Sequence, residues 1–202
     1  GLLAEESKSP PLGNSAPPAE PMAEEGGILY FSGCLAGHLQ PSVAQATGRL
    51  VRGLVGKSLR VPGRQGCCGL AAWSSGDKEE AARLARRNIQ AFAGSSGPIL
   101  TSCASCSAHL VRYPELFAGD PEWHEQAVEF SARVREFSSF LLGILGESEL
   151  KARFPRRVYH HQPCHLRFDP RRAGAPAELL RRVTGTTLVE PAGGPRCCGQ
   201  GG

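Results

Sequence analysis

The chain has 202 residues, 41% of them hydrophobic and 21% charged, with a net charge of +4. That length allows one large domain or two of about 100 residues. The small positive charge, with no Lys/Arg run interleaved with aromatics, excludes a nucleic-acid platform, and no apolar run approaches the ~20 residues of a membrane span.

Residues 1–26 are rich in Pro and Glu, with Pro10, Pro11, Pro17, Pro18 and Pro21, and show no periodicity. They read as a Pro-rich linker or extended tail. Order is expected from Gly27. Ile28-Leu29-Tyr30-Phe31 is a short apolar run ending in Ser32-Gly33, which predicts a buried strand, and Cys34 follows it. Pro41 suits a first helical turn. Val43, Ala44, Ala46, Leu50, Val51, Leu54 and Val55 continue at helical spacing, with Gly56 as the C-terminal cap. Ser58 to Val61 predicts a second strand. The loop from Gly63 to Gly69 then carries Cys67 and Cys68.

Asp77 is a predicted N-cap, with Glu80 three residues on. A helix is expected from Lys78 to Ala93, stopped by Gly94. Pro98 to Thr101 predicts a third strand, and Cys103 and Cys106 follow. Asp120-Pro121 opens a predicted long amphipathic helix whose stripe is Trp123, Ala127, Phe130, Val134, Phe137, Leu141 and Ile144. This stripe is read as core packing between lobes. A second unit begins at Val158 to Gln162 and Pro163-Cys164. It continues with a helix from about Pro176 to Val183, ended by Gly185, and a strand over Thr187 to Glu190. Arginines gather between Arg153 and Arg182, Arg171 and Arg172 among them. They read as a solvated face, the sharper alternative being a docking surface for an acidic partner.

The cysteine spacing carries the chemistry. Thirty-two residues separate Cys34 from the vicinal pair Cys67-Cys68, and thirty-four more separate that pair from Cys103-Ala104-Ser105-Cys106. The first part recurs with an offset of 130: Cys34 to Cys164, and Cys67-Cys68 to Cys197-Cys198. All eight cysteines of the chain belong to this repeat, which argues for metal binding rather than for scattered thiols. A second Cys-x-x-Cys is expected near position 233, beyond Gly202, so the chain reads as a fragment with an incomplete second site. Disulfides are the poorer account. The chain is long enough to bury a core without staples, and adjacent cysteines bond each other only through a strained ring.

The order strand, helix, strand, helix, strand predicts a parallel α/β sheet. Each cysteine then lies just past the C-terminal end of a strand, the rim where open parallel sheets bind ligands. The fold expected is α/β, with two similar lobes of parallel strand–helix units. Gly33, Gly66 and Gly69 would let the backbone approach the bound group, with amides aimed at its sulfurs. Structural zinc takes four ligands, typically from two Cys-x-x-Cys knuckles, whereas each complete unit here offers one knuckle and a fifth thiol. Five thiols suit an iron–sulfur cluster better, and zinc stays as the alternative. His160, His161 and His165 near Cys164 are weighed as an alternative ligand or proton donor, and are read chiefly as loop and strand residues. His38, His109 and His124 have less to recommend them. No Gly-x-Gly-x-x-Gly, P-loop or nucleophile elbow is present.

The arrangement Cys34…Cys67-Cys68-Gly69…Cys103-x-x-Cys106, restarted at Cys164, resembles the cysteine-rich CCG domain. That domain occurs in heterodisulfide reductases, in the glycolate oxidase iron–sulfur subunit and in related lactate-utilisation proteins. The resemblance covers about residues 27–202. The strings Gln65 to Gly69, Ala85-Arg86-Arg87-Asn88-Ile89, Thr101 to Cys106 and Tyr113-Pro114-Glu115-Leu116 resemble the glycolate/lactate branch. The tail resembles the linker that follows a ferredoxin-like domain in that branch.

By this resemblance Cys34, Cys67, Cys68, Cys103 and Cys106 would hold a first iron–sulfur cluster, of [4Fe–4S] type and cubane or noncubane. Cys164, Cys197 and Cys198 would begin a second. The resemblance implies the electron-transfer subunit of an oxidoreductase complex, in which a separate FAD-binding subunit oxidises a 2-hydroxy acid such as glycolate or lactate. It also implies an electron acceptor such as the membrane quinone pool, and a cytoplasmic location at the inner face of the membrane. Disulfide reduction of the heterodisulfide reductase kind and a structural zinc module are the alternatives. The organisation expected is a linker over 1–26, a first cysteine-rich domain over 27–117, a connecting amphipathic helix within 118–155, and a second domain over 156–202, truncated before its Cys-x-x-Cys.

Overall fold

A computed structural model describes residues 27–146, 148, 150, 152–169, 172–189, 194, 196, 198 and 199. The expectations for the tail over 1–26, for Arg171, for Glu190 and for Cys197 lie outside the described residues.

The chain forms the α/β arrangement that the sequence predicts. Strands β1 (Ile28–Tyr30), β2 (Leu59–Arg60) and β3 (Ile99–Thr101) join β4 (Val134–Glu136) in one sheet of order β2-β1-β3-β4. Every pairing in it is parallel. Side chains alternate across the sheet as the period of two requires. Leu29, Phe31 and Ile99 enter the larger core with Ile89, Phe92, Tyr113 and Phe130, while Ile28, Tyr30 and Leu100 enter a smaller one with Val51. Helices therefore cover both faces. α1 (Pro41–Val55) and α7 (Phe137–Leu145) lie on one; α3 (Lys78–Phe92), α5 (Tyr113–Leu116) and α6 (Pro121–Arg133) lie on the other.

The punctuation works as local chemistry dictates. Pro41 opens α1, and Gly56 ends it in the left-handed region at φ 72°. Asp77 caps α3 by accepting from the Glu80 amide at 3.0 Å. Between these elements the structure adds a π turn at Leu35–Leu39, just past Cys34, and a short α2 (Leu70–Ser74) after the Cys67-Cys68 loop. The helix α4 (Ala104–Leu110) follows β3 directly.

The long helix expected from Asp120 onward is instead divided into α6, β4 and α7. Val134 takes an extended backbone and pairs with Ile99 along the edge of β3. Glu136 then closes the strand and caps α7, its carboxylate accepting from the Ser138 and Ser139 amides at 3.0 and 2.9 Å. The apolar stripe is compatible with one helix or with two separated by a three-residue strand. The unpaired edge of β3 selects the second, since its backbone groups gain partners.

The second unit has β5 (Arg157–Tyr159) and β6 (Thr187–Val189) paired in parallel, with α8 (Cys164–Arg167) and α9 (Ala175–Arg181) between them. β5 stops at Tyr159, so His160 and His161 follow the strand instead of lying in it. The arginine-rich stretch is only partly a solvated face. Arg153, Arg156 and Arg157 are exposed. Arg172 instead pairs with Asp169 and donates to Ser107 Oγ at 2.6 Å, and Arg182 pairs with Glu178 and donates to the Gly146 carbonyl.

Candidate metal centre

The strand order puts the site where parallel sheets place ligands. The chain leaves β1 for β2 on one side, then crosses back to β3 on the other, so successive connections diverge above β1 and β3. Such a switch point opens a crevice at the C-terminal strand ends. Cys34 follows β1 there, and Cys103 and Cys106 follow β3. The loop after β2 brings in Cys67 and Cys68.

Four of these thiols form a chain of neighbours, each close enough to shift the ionisation of the next: Cys67 with Cys68, Cys68 with Cys106, and Cys106 with Cys103. Cys68 and Cys106 are each only 5% exposed and belong to the larger apolar core. Cys34 stands apart: it is exposed, and is felt at Cys67 only as longer-range charge repulsion. Cys34, Cys67, Cys68, Cys103 and Cys106 form no disulfide. Among the described residues no three donors are set to hold a single metal ion.

The contacts divide the proton affinities. The hydrogen bond from Cys106 is the largest influence lowering the Cys68 pKa, followed by that from Cys67. The bond to Cys106 also lowers Cys103. Cys106 is pushed up by its bonds to Cys103 and Cys68 and then by burial, and Cys67 is pushed up by its bond to Cys68 and then by burial. Backbone amides add to this. Gly69 N–H points at Cys67 Sγ at 3.5 Å, and Cys106 N–H points at Cys103 Sγ at 3.4 Å. Amide donors of this kind favour thiolate over thiol.

The loop geometry is held from outside by a polar lock. Asn88 is fully buried on α3. Its Oδ1 accepts from the Gly66 amide, and its Nδ2 donates to the Cys67 carbonyl and the Tyr113 hydroxyl, each at 2.9 Å. Tyr113 in turn donates to the Cys68 carbonyl at 2.8 Å. Gln65 joins this loop to the end of β1, accepting from Ser32 N–H at 2.9 Å and donating to the Tyr30 carbonyl at 3.1 Å. The sequence strings contain all three residues, but nothing in their spacing marks them as supports. Only the fold shows which backbone groups they reach.

Two glycines are required here. Gly33 has φ 61°, and a Cβ on it would lie 3.1 Å from Phe31 Cε1 and 3.4 Å from Cys106 Sγ. Gly69 has φ 93°, and a Cβ on it would lie 3.4 Å from the Ala81 carbonyl oxygen. Gly66 is different. A Cβ there would make only ordinary contact with the Arg87 guanidinium at 3.6 Å, so space does not demand glycine.

The histidines sort themselves by burial. His38 and His124 are exposed. His165 Nδ1 lies 3.0 Å from Ser105 Oγ, joining the residue after Cys164 to the Cys103-x-x-Cys106 turn. His160 Nδ1 and His161 Nε2 are buried without partners among the described residues. His109, which the sequence gives little reason to choose, is 3% exposed with neither ring nitrogen partnered. Burial lowers its pKa, against an opposing pull from Cys68. An unpartnered buried polar group costs about 1–3 kcal/mol. Of the second set, Cys164 opens α8, which packs on α4, and Cys198 is exposed.

The donor chemistry fits an iron–sulfur group: soft thiolate ligands, amides directed at sulfur, and a largely apolar surround that tunes such a group. These features define an α/β protein with a cysteine cluster on its ligand-binding rim. The chain belongs to the cysteine-rich domain family (CCG), whose pattern matches residues 28–111 and 158–202. It is 35% identical over 175 residues to lactate utilization protein A of Shouchella clausii, covering 87% of this chain and 72% of that protein. The protein of the same name from Exiguobacterium is 35% identical over 176 residues, 87% and 71% of the two chains. A probable glycolate oxidase iron-sulfur subunit of Bacillus subtilis is 33% identical over 177 residues, covering 87% of this chain and 40% of that one. No helix among the described residues is long and apolar enough to cross a membrane.

Proposed function

We propose that the chain is the iron–sulfur electron-transfer subunit of a flavin-linked 2-hydroxyacid dehydrogenase, acting on lactate or glycolate through a separate FAD-binding subunit. The observation that carries this reading is the gathering of Cys67, Cys68, Cys103 and Cys106 at the sheet's switch point. The names of the relatives supply the substrate class. Cys34, with those four, would hold the first cluster, and Cys164, Cys197 and Cys198 belong to a second. The two cysteine-rich units would span 27–117 and 156–202, joined through 118–155. An iron–sulfur cluster supplies one-electron storage when bound.

The chain's own residues do the rest. Asn88 and Tyr113 hold the vicinal cysteines in one loop shape. The Gly69 and Cys106 amides offset negative charge on sulfur. Phe31, Leu110 and their neighbours limit water access from the core side. The electron acceptor would be the membrane quinone pool.

The test is metal analysis and the visible spectrum of anaerobically reconstituted protein. About four irons and four sulfides at the first site, with brown absorbance, support the reading. That absorbance should bleach when the flavin subunit and lactate or glycolate are added. About one zinc with no visible band overturns it.

A further inference from the structure

His109 is the buried group that neither the thiol contacts nor the core accounts for. It lies on α4, three residues after Cys106, and is only 3% exposed. Among the described residues, neither Nδ1 nor Nε2 has a hydrogen-bond partner. Its ring stands edge-on to Tyr113 at 5.7 Å and tilted against Trp73 at 6.3 Å. The Tyr113 hydroxyl is already engaged with Cys68 and Asn88. Nε2 faces Gly69, where a Cβ would lie 3.6 Å from it. Gly69 directly follows Cys68, so this nitrogen borders the backbone of the vicinal cysteine loop. A neutral imidazole has one N–H to give, and buried donors are almost always paired. A negatively charged sulfur would give that N–H an acceptor.

We propose that the His109 Nε2–H is held for the sulfur on the Cys68 side of the bound cluster, and that it raises the cluster's reduction potential without ligating iron. The inference rests on the iron–sulfur reading above. Reduction adds negative charge to the cluster and its sulfurs, and a donor aimed at that charge stabilises the reduced form more than the oxidised one. His109 is thus a positioning residue for charge, distinct from the five thiols.

The experiment uses the full chain, reconstituted anaerobically with iron and sulfide. Wild type, His109→Leu and His109→Gln are compared by iron content and by redox titration followed through the visible band. The expected result is equal iron in all three. Leu should weaken reduction about tenfold, a lowering of about 59 mV for one electron. Gln keeps a side-chain N–H and should recover most of the difference. Equal potentials at full iron content overturn the proposal and assign His109 to packing. Loss of iron in both variants also overturns it, in favour of a ligand. If His109→Leu does not fold, pulsed electron paramagnetic resonance on reduced wild type carrying ¹⁵N-histidine decides the same question. Weak nitrogen coupling supports a hydrogen bond to sulfur. Strong coupling, as for an iron–nitrogen bond, or no coupling overturns it. If wild type itself takes up no iron and sulfide, the electron-transfer reading has failed and this inference falls with it.

Discussion

Asn88 shows how much of the site depends on a residue that touches no sulfur. It satisfies one amide and one carbonyl of the cysteine loop and also holds Tyr113. Asn88→Ala leaves those groups buried and unpaired, at about 1–3 kcal/mol each. Denaturant unfolding should show a loss of at least ~2 kcal/mol, and reconstituted iron should fall although no cysteine has changed. A variant with wild-type stability would mean that the loop does not need the lock. The ligand set has a separate test. Cys68→Ser should lower iron in the first site, while His38→Ala, at an exposed position, should not. Equal iron in the two variants would sink the five-cysteine assignment. The cysteines were legible because their spacing repeats. Asn88, Gln65 and His109 were not, because a support residue is defined by what it meets in three dimensions. Their strings resemble a family, but resemblance does not tell which atom bonds to which.

At the scale of elements, the caps and strands near Pro41, Gly56, Asp77 and Ile99 could be read directly, since each depends on a neighbour only a few residues away. The division of the 121–145 stretch could not. A four-and-three spacing of apolar residues continues across Val134 without a Gly or Pro to mark the break. What interrupts the helix is β3, more than thirty residues earlier, which offers an unpaired edge. Glu136 makes the transition stable: it is 5% exposed, and its carboxylate bonds to Ser138 and Ser139. Glu136→Ala should therefore destabilise the fold by about 1–2 kcal/mol through the lost cap. Glu136→Asp should recover part of that, and thermal unfolding of the pair would show it. Equal midpoints for Ala and wild type would remove the cap from this account.

In the molecule as a whole, the second unit is tied to the first through polar contacts around α4. His165 meets Ser105 inside the Cys-x-x-Cys turn, and Arg172 reaches Ser107 just past that turn. Arg172 is 15% exposed and also pairs with Asp169 at 2.5 Å, so its guanidinium is a partly buried tie. Arg172→Ala should speed hydrogen exchange at the Leu166, Arg167 and Phe168 amides, which close the α8 turn. Exchange within α3 should stay unchanged. Uniform acceleration across both units would show that Arg172 supports the fold globally instead of the junction.

The sequence by itself determined the α/β class and the cysteine repeat. Those follow from local periodicity and spacing, which survive in one dimension. The tertiary structure alone decided three things. It separated the four neighbouring thiols from the more exposed Cys34, it recruited Asn88 and Tyr113 as the lock, and it left both ring nitrogens of the buried His109 without a hydrogen-bond partner among the described residues. Each depends on how distant segments pack around a switch point, and burial and hydrogen bonding between such segments have no signature in the spacing of residues along the chain.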